Sequence, residues 1–496
     1  MLFDQLMFDN PTMSRFHIYR SLFIHAEGIY QVHFFADLHG LNYQQMVGLL
    51  TDIDEDLKQI NPEHEKVLER NGKINLFHLD VGIDEYRYFL LQRSVPFLFI
   101  QEILNGEEMT VDDFCLKHDI SRSTVSRKLS AISKFLRKYR IRFTYTPLDI
   151  VGDETLIRLT LFYLYWIGVR DIAWPFKISK EEVENIMKEY PNVLRMSNNY
   201  LGKKEMFYLF AIFASRVKKG KFVKDYKEWK TFFDNNPYYE NVLLKKMDGL
   251  DDKFRLAETH FFLFLTHFIP YYSEKDSEDM QQTIRDFRNR HSDHPLSIMN
   301  DKFMYYVNEN LFTNLDRETE DLLMANFINI SFTYYVLNSS IPDFEVLGTS
   351  LYPTTDAHRE LHAKVKDFFD KLFTSNTYSR FKNSKESLIR RYTNLLLPYY
   401  YEQGKSPVIR VGIALERNQI LLQRLKMFLK SLNFVEIEDF APENVHQYDL
   451  VISSTTSILQ DFPGVKLFYW DIEYGHNELM FLYQYLQQTY LTPQEL

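Results

Sequence analysis

Met109-Thr110-Val111-Asp112-Asp113-Phe114-Cys115-Leu116-Lys117-His118 leads through Asp119-Ile120-Ser121 into Arg122-Ser123-Thr124-Val125-Ser126-Arg127-Lys128-Leu129-Ser130-Ala131-Ile132-Ser133-Lys134-Phe135. The spacing predicts two helices joined by a tight turn. Val111, Phe114 and Cys115 share one face of the first, and Val125, Leu129, Ile132 and Leu136 form an apolar stripe on the second. Each helix therefore has one face to bury. Ser121 stands where an N-cap belongs, its hydroxyl placed to accept from the first free backbone N–H groups. The pair reads as a helix-turn-helix.

Away from the stripe the second helix carries Arg122, Ser123, Thr124, Ser126, Arg127, Lys128, Ser130 and Lys134, and it runs out through Arg137 and Lys138. These ten are the candidate binding residues, suited to phosphates and base edges. From Ser121 to Arg142 every charged residue is positive. Alternating Ile141-Arg142-Phe143-Thr144-Tyr145, a Pro147-Leu148-Asp149 turn and Ile150-Val151-Gly152-Asp153-Glu154 predict a two-stranded wing. A solvated helical hairpin is the competing reading. Cap, one-sign charge and wing coincide here, which is the footprint of a major-groove reader of duplex DNA.

The whole chain of 496 residues is too long for one core, and with 45% hydrophobic and 16% aromatic residues it can fill several. Only 16 glycines and 16 prolines point to a mainly helical protein. The formal net charge of −10 repels a polyanion, so nucleic acid must be held by a local basic patch. The single cysteine, Cys115, fits a reducing compartment. The longest apolar run, Leu159 to Val169, spans about eleven residues where a membrane helix needs roughly twenty. A cytoplasmic protein without membrane contact is expected.

Residues 1–85 look like a smaller copy of the motif. Phe34, Phe35 and Leu38 end one helix, Gly40 breaks it, and Asn42 caps a second that carries Met46, Leu49, Leu50, Ile53 and Leu57, with Asn75 to Val81 as its wing. Asp52, Asp54, Glu55 and Asp56 on the outer face are costly beside phosphates, so this module is as suited to bracing or dimerising as to reading. Glu85 to Leu104 is a linking helix broken at Ser94-Val95-Pro96. From Thr155 to about Tyr400 helix follows helix, arranged as two tandem bundles. After Gln403-Gly404-Lys405-Ser406-Pro407 strands alternate with helices: Val408 to Ala414, Phe434 to Ile437, Tyr448 to Ser454 and Lys466 to Trp470 predict a small, mainly parallel sheet.

This order of parts resembles the Mga/AtxA/MafR group of bacterial transcription regulators, most sharply in the Ser121 to Lys138 helix and its wing. The resemblance implies a mainly α multidomain fold. Its parts are an N-terminal winged-helix-like module (1–85), a winged helix-turn-helix DNA-binding domain (86–160), two bundles like PTS-regulation domains (161–278 and 279–402), and an α/β domain like an EIIB phosphocarrier (403–496). It implies an activator that binds double-stranded promoter DNA, forms a homodimer, and is controlled by histidine phosphorylation from a phosphocarrier protein of the sugar phosphotransferase system. An EIIB carrier holds phosphate on a cysteine after its first strand. Here that loop is Ala414-Leu415-Glu416, so the domain is expected to serve assembly.

His260 and His267 in the first bundle, and His358 and His362 in the second, are the phosphoacceptor candidates, set against the commoner packed histidine. His358-Arg359-Glu360-Leu361-His362 has the histidine spacing of a zinc site, but the glutamate is in the wrong place and a third ligand is missing. No metal and no cofactor are expected. His291-Ser292-Asp293-His294, among Arg285, Arg288, Asn289 and Arg290, reads as a solvated loop. Neither a phosphate loop nor a nucleophile elbow is present, so an enzyme is not expected. The alternatives are an RNA-binding antiterminator under phosphotransferase control and a phosphoryl-transfer protein.

Overall fold

The computed structural model describes residues 1–188, 200–236, 252–268, 272, 273, 275, 277–348, 356–401, 408–415, 419–470 and 478–491. The expected change of pattern at residues 403–407 lies outside them. The described chain is mainly helical, with a small sheet near its C-terminal end. It divides into two compact units, Met1–Tyr271 with Phe332–Ser350, and Tyr272–Ser331 with Leu351–Leu496.

In the first unit the expected motif forms with sharp ends. Val111–His118 starts on a capping box between Thr110 and Asp113 and stops at Asp119, whose φ is 52°. Arg122–Arg137 starts on Ser121, whose Oγ accepts from the Thr124 amide at 3.2 Å. Val125, Leu129, Ile132 and Leu136 are at most 1% exposed, each burial worth roughly 1.5–3 kcal/mol. Cys115 is only half-buried. The linking helix is two helices, Ile83–Leu91 and Val95–Asn105, the second capped by Ser94 as its proline requires. Phe99 from that second helix stacks edge-on to both Phe114 and Phe143, tying motif and wing to one support.

The wing pairs Arg142–Tyr145 with Leu148–Val151 antiparallel. Its turn is Thr146-Pro147, earlier than the predicted Pro147-Leu148-Asp149, because Leu148 already turns inward. At its end Gly152 has φ +156°, and a Cβ there would meet the Arg140 carbonyl at 2.9 Å. Only glycine fits that close approach.

The N-terminal module has its two helices, Val32–Leu38 and Tyr43–Ile60, separated by Gly40 at φ +63°. Its wing differs from expectation: Ile29–Gln31 pairs with Lys73–Asn75, and Leu76–His78 is a short 3-10 turn. Asp54 and Asp56 are also buried rather than outward. Asp54 accepts from the Val67 and Leu68 amides at 2.8 and 3.1 Å, and Asp56 accepts from Arg15 and Tyr86. They are structural carboxylates with partners, as burial demands.

Behind the wing lies a buried charge network. The Arg158 guanidinium donates to both Glu258 oxygens at 2.6 and 2.9 Å and to Glu154 at 3.2 Å. Arg216 donates to both Glu154 oxygens at 2.8 and 2.7 Å, and to Asp149 at 3.3 Å. Lys221 pairs with the other Asp149 oxygen. Helices Glu154–Val169, Tyr200–Lys218 and Asp252–Leu265 are thereby joined to wing strand Leu148–Val151.

The second unit holds helices Glu278–Arg290, Pro295–Tyr306, Asp356–Leu372 and Lys385–Tyr400, and most of Arg317–Leu337. Phe303, Phe327, Phe369 and Tyr392 pack at their centre. The expected loop is confined to residues 291–294, where Ser292 and Asp293 are exposed, and it is not solvated throughout. Arg285, Arg288, Asn289 and Arg290 lie on a helix, His291 is buried, and the His294 Nδ1 caps the next helix by accepting from the Leu296 amide at 3.2 Å. The same unit contains the sheet, whose four parallel strands are Ile409–Ala414, Val435–Asp439, Leu450–Ser453 and Leu467–Tyr469, ordered second, first, third, fourth. Of the Ala414-Leu415-Glu416 loop, Glu416 lies outside the described residues.

Two predictions follow from this packing. Arg216→Met leaves Glu154 and Asp149 without their shared cation and is expected to cost about 3–5 kcal/mol in the urea unfolding of the first unit, with part recovered in the Arg216→Met, Glu154→Met double variant. A loss below about 1 kcal/mol contradicts the network's role. In the second unit burial pushes His291 and His294 down to about 4 from 6.5, helped at His291 by the neighbouring His294 and Arg290. A base held neutral in the fold contributes stability above pH 6.5 that is lost as pH falls through about 4. The unfolding temperature should drop across that window, and His294→Asn, which keeps a capping acceptor without titrating, should shrink the drop.

Candidate nucleic-acid interface

The Arg122–Arg137 helix turns about 100° per residue, so Ser123, Arg127, Ser130, Lys134 and Arg137 fall on one line, opposite the buried stripe. All five are exposed, as are Arg122, Ser126 and Lys138. Thr124 and Lys128 are half-buried on the flank. The line is polar, short-chained at its start and cationic toward its end, which suits a helix whose N-terminal residues approach base edges while later ones meet phosphates.

Which cations are available is decided by their partners. Arg122 Nε sits 2.8 Å from Asp112 Oδ1, with both side chains more than half exposed, so a phosphate can compete for it. Lys128 points the other way, its Nζ 2.5 Å from Asp9 Oδ2 at the start of helix Asn10–Ile24. Although desolvation raises the Asp9 carboxyl, Lys128 and the Thr12 amide outweigh it and hold that group down at about 2. Lys128 therefore belongs to the junction with the N-terminal module. Arg127, Lys134, Arg137, Lys138, Arg140 and Arg142 are exposed and form no ion pair with any described residue. Arg140 and Arg142 were in the predicted basic run but not among the ten candidates. The signal that finds them is the wing register, which sets Arg142 opposite Val151 at the open end of the hairpin beside the helix end.

A comparison with protein-family models matches residues 80–165 to the Mga helix-turn-helix domain. The match falls on the helix-turn-helix and wing that carry the resemblance to that group. The matched residues contain the linking helices, the Arg122–Arg137 helix and the wing, and three of the buried network residues, Asp149, Glu154 and Arg158. Similar proteins include the capsule synthesis positive regulator AcpA of Bacillus anthracis, 33% identical over 28% of this chain and 29% of its own length. The capsule synthesis positive regulator AcpB of the same organism is 23% identical over 38% of this chain and 39% of its own. The alignments thus span well under half the length of these relatives. No described helix is long and apolar enough to cross a membrane.

The four candidate histidines differ in setting. His260 is fully buried, its Nδ1 3.2 Å from Asp225 Oδ1 and its Nε2 3.1 Å from Asp234 Oδ1, so both ring nitrogens face carboxylates. His267 is buried against Phe332 just past its helix. His358 and His362 are half-buried on one helix face with ring centroids 6.4 Å apart, and burial lowers the His358 pKa.

The geometry separates two neighbours on the reading helix. Arg127→Ala should weaken duplex binding several-fold in fluorescence anisotropy. Lys128→Ala should leave affinity within about twofold and cost at most about 1 kcal/mol of stability, the scale of a half-exposed ion pair. Equal losses of affinity would reverse the assignment of Lys128.

Proposed function

We propose that the chain is a DNA-binding transcription activator whose Arg122–Arg137 helix enters the major groove of promoter DNA while the wing and helix end hold the backbone. The observation that carries this reading is the exposed line of Ser123, Arg127, Ser130, Lys134 and Arg137 beside unpaired Lys138, Arg140 and Arg142, within a chain of net charge −10. The Mga domain supports the DNA-binding class, and the relatives' names as positive regulators support activation. At the start of the line only Arg127 is placed for a bidentate base contact, the later cations being assigned to phosphates, so recognition rests more on duplex shape and deformability than on direct readout.

Around this reader we place the five-part organisation: winged-helix modules at 1–85 and 86–160, bundles of the PTS-regulation type at 161–278 and 279–402, and an EIIB-like domain at 403–496 that serves assembly of a homodimer. The four parallel strands ordered second, first, third, fourth fit that last part. A phosphocarrier partner would act through a histidine. Half-buried His358 and His362 are easier to reach than His260, whose modification would bring close to two negative charges against Asp225 and Asp234. The protein is a regulator rather than an enzyme, and its working compartment is the cytoplasm.

The deciding experiment is a competition between duplex DNA and hairpin RNA for the full chain, repeated over a salt series. The proposal expects duplex preference and a steep negative salt slope that falls by about one for each phosphate-contacting cation replaced among Lys134, Arg137, Lys138, Arg140 and Arg142. Preference for the hairpin would favour the antiterminator reading.

A further inference from the structure

In the first unit a small cleft is shared by the start of helix Asn10–Ile24, the turn before helix Val95–Asn105 and the flank of the reading helix. Its volume is about 70 Å³, on a scale where one enclosed water takes roughly 10–15 Å³. About five heavy atoms fit, the size of a tetrahedral oxyanion. Met7, Phe8 and Leu90 form part of the wall and are at most 8% exposed. Beside such a wall, charges act on one another through a lower dielectric than in open water.

Three cations line the cleft, Arg15, Arg93 and Lys128, against one carboxylate, Asp9. Lys128 uses one of its three N–H donors on Asp9, and Arg15 donates through Nη1 to Asp56 at 2.8 Å. The Arg15 Nε is buried and has no hydrogen-bond partner in the fold, which is costly for a donor shut off from water. Arg93 lies over the Phe89 ring, 3.6 Å from its centroid, and donates to the Phe89 carbonyl and to Gln59. It pairs with no carboxylate among the described residues. Burial raises the Asp56 carboxyl even though Arg15 and Arg93 both act to lower it. With Asp56 counted, three cations face two carboxylates, an excess of one positive charge in a chain of net charge −10. The donors belong to three separate segments of chain, and an ion with oxygens on four sides can meet them together.

We propose that this cleft binds a small tetrahedral oxyanion, inorganic phosphate free in solution, held by Arg15, Arg93 and Lys128. The two guanidiniums supply forked N–H donors and Lys128 a point charge. The ion competes with Asp9 for Lys128 and so bridges the N-terminal module to the reading helix. The cleft lies off the exposed line of Ser123, Arg127, Ser130, Lys134 and Arg137, and it makes the junction of the two modules responsive to phosphate.

The test is titration calorimetry on the full chain with sodium phosphate, ionic strength being held constant with chloride, and with sodium nitrate as a planar control. Phosphate is expected to bind saturably and nitrate at least tenfold more weakly. Arg93→Gln and Lys128→Gln should each weaken phosphate binding at least fivefold. Asp9→Asn keeps a helix-capping acceptor but removes the opposing charge, and it should tighten binding at least threefold. Phosphate should raise the melting temperature of the parent and of Asp9→Asn more than that of the other two variants. Lack of saturable binding, equal binding of nitrate, or affinity unchanged in both Arg93→Gln and Lys128→Gln would overturn the inference. Duplex anisotropy in phosphate-free buffer separates the free ion from the DNA backbone. Arg93→Gln should leave duplex affinity within twofold; a several-fold loss, with no binding of phosphate by itself, assigns the cleft to the DNA backbone and overturns the inference. Calorimetry with phosphate needs no DNA, so this inference and the reading of the helix-turn-helix fail separately.

Discussion

The double grip of Arg216 on Glu154 and Asp149 is the interaction on which the rest of the reading head depends. A hairpin of four-residue strands is too small to hold its own orientation in water. Here its second strand is fastened from behind by a buried arginine belonging to a helix more than sixty residues further along. Arg158 and Glu258 extend the fastening to a third helix. Three cations, Arg158, Arg216 and Lys221, face three carboxylates, Glu154, Glu258 and Asp149, so the site is close to neutral as a whole. Such a network adds little net stability over an apolar core, but breaking it leaves a stranded charge, and that asymmetry makes the geometry specific. It also gives the bundle a physical hold on the wing.

The same logic of partnership sorts the surface. An acidic molecule can hold a polyanion only where its cations are not already neutralised, and on the reading helix that criterion separates adjacent residues. Arg127 faces outward unpaired, while Lys128, one step round the axis, is taken up by Asp9. In the N-terminal module it works in reverse. Asp54 and Asp56 would oppose DNA if exposed, but they are folded inward onto backbone amides, Arg15 and Tyr86, which leaves Asp52 and Glu55 outside.

The motif was legible because its signals are local. A serine cap, two stripes at helical spacing and an uninterrupted basic run lie between Val111 and Arg142 and agree with one another. The parallel sheet was legible for the same reason, since β-rich runs alternate with a helical segment. What sequence could not supply was anything decided by distant partners. The Asp54 and Asp56 side chains look solvated on a helical wheel until the chain returns at Val67 and at Tyr86. The N-terminal wing needed Ile29–Gln31, forty residues before its partner strand. The 285–294 segment is rich in charge and histidine, which resembles a loop by composition, and its second part is a turn, but Arg285 to Arg290 complete a helix whose Met280, Thr283, Ile284 and Phe287 bury one face. The fastening of the wing combines residues from three helices, and their pairing leaves no periodic trace.

Amide hydrogen exchange of the full chain, with and without a saturating DNA duplex, tests the central claim most directly. The account predicts new protection concentrated in residues 121–151, strongest along the exposed line of the reading helix and continuing into the wing. Protection confined to residues 43–60 of the N-terminal module, or bound DNA with exchange at 121–151 unchanged, would contradict it.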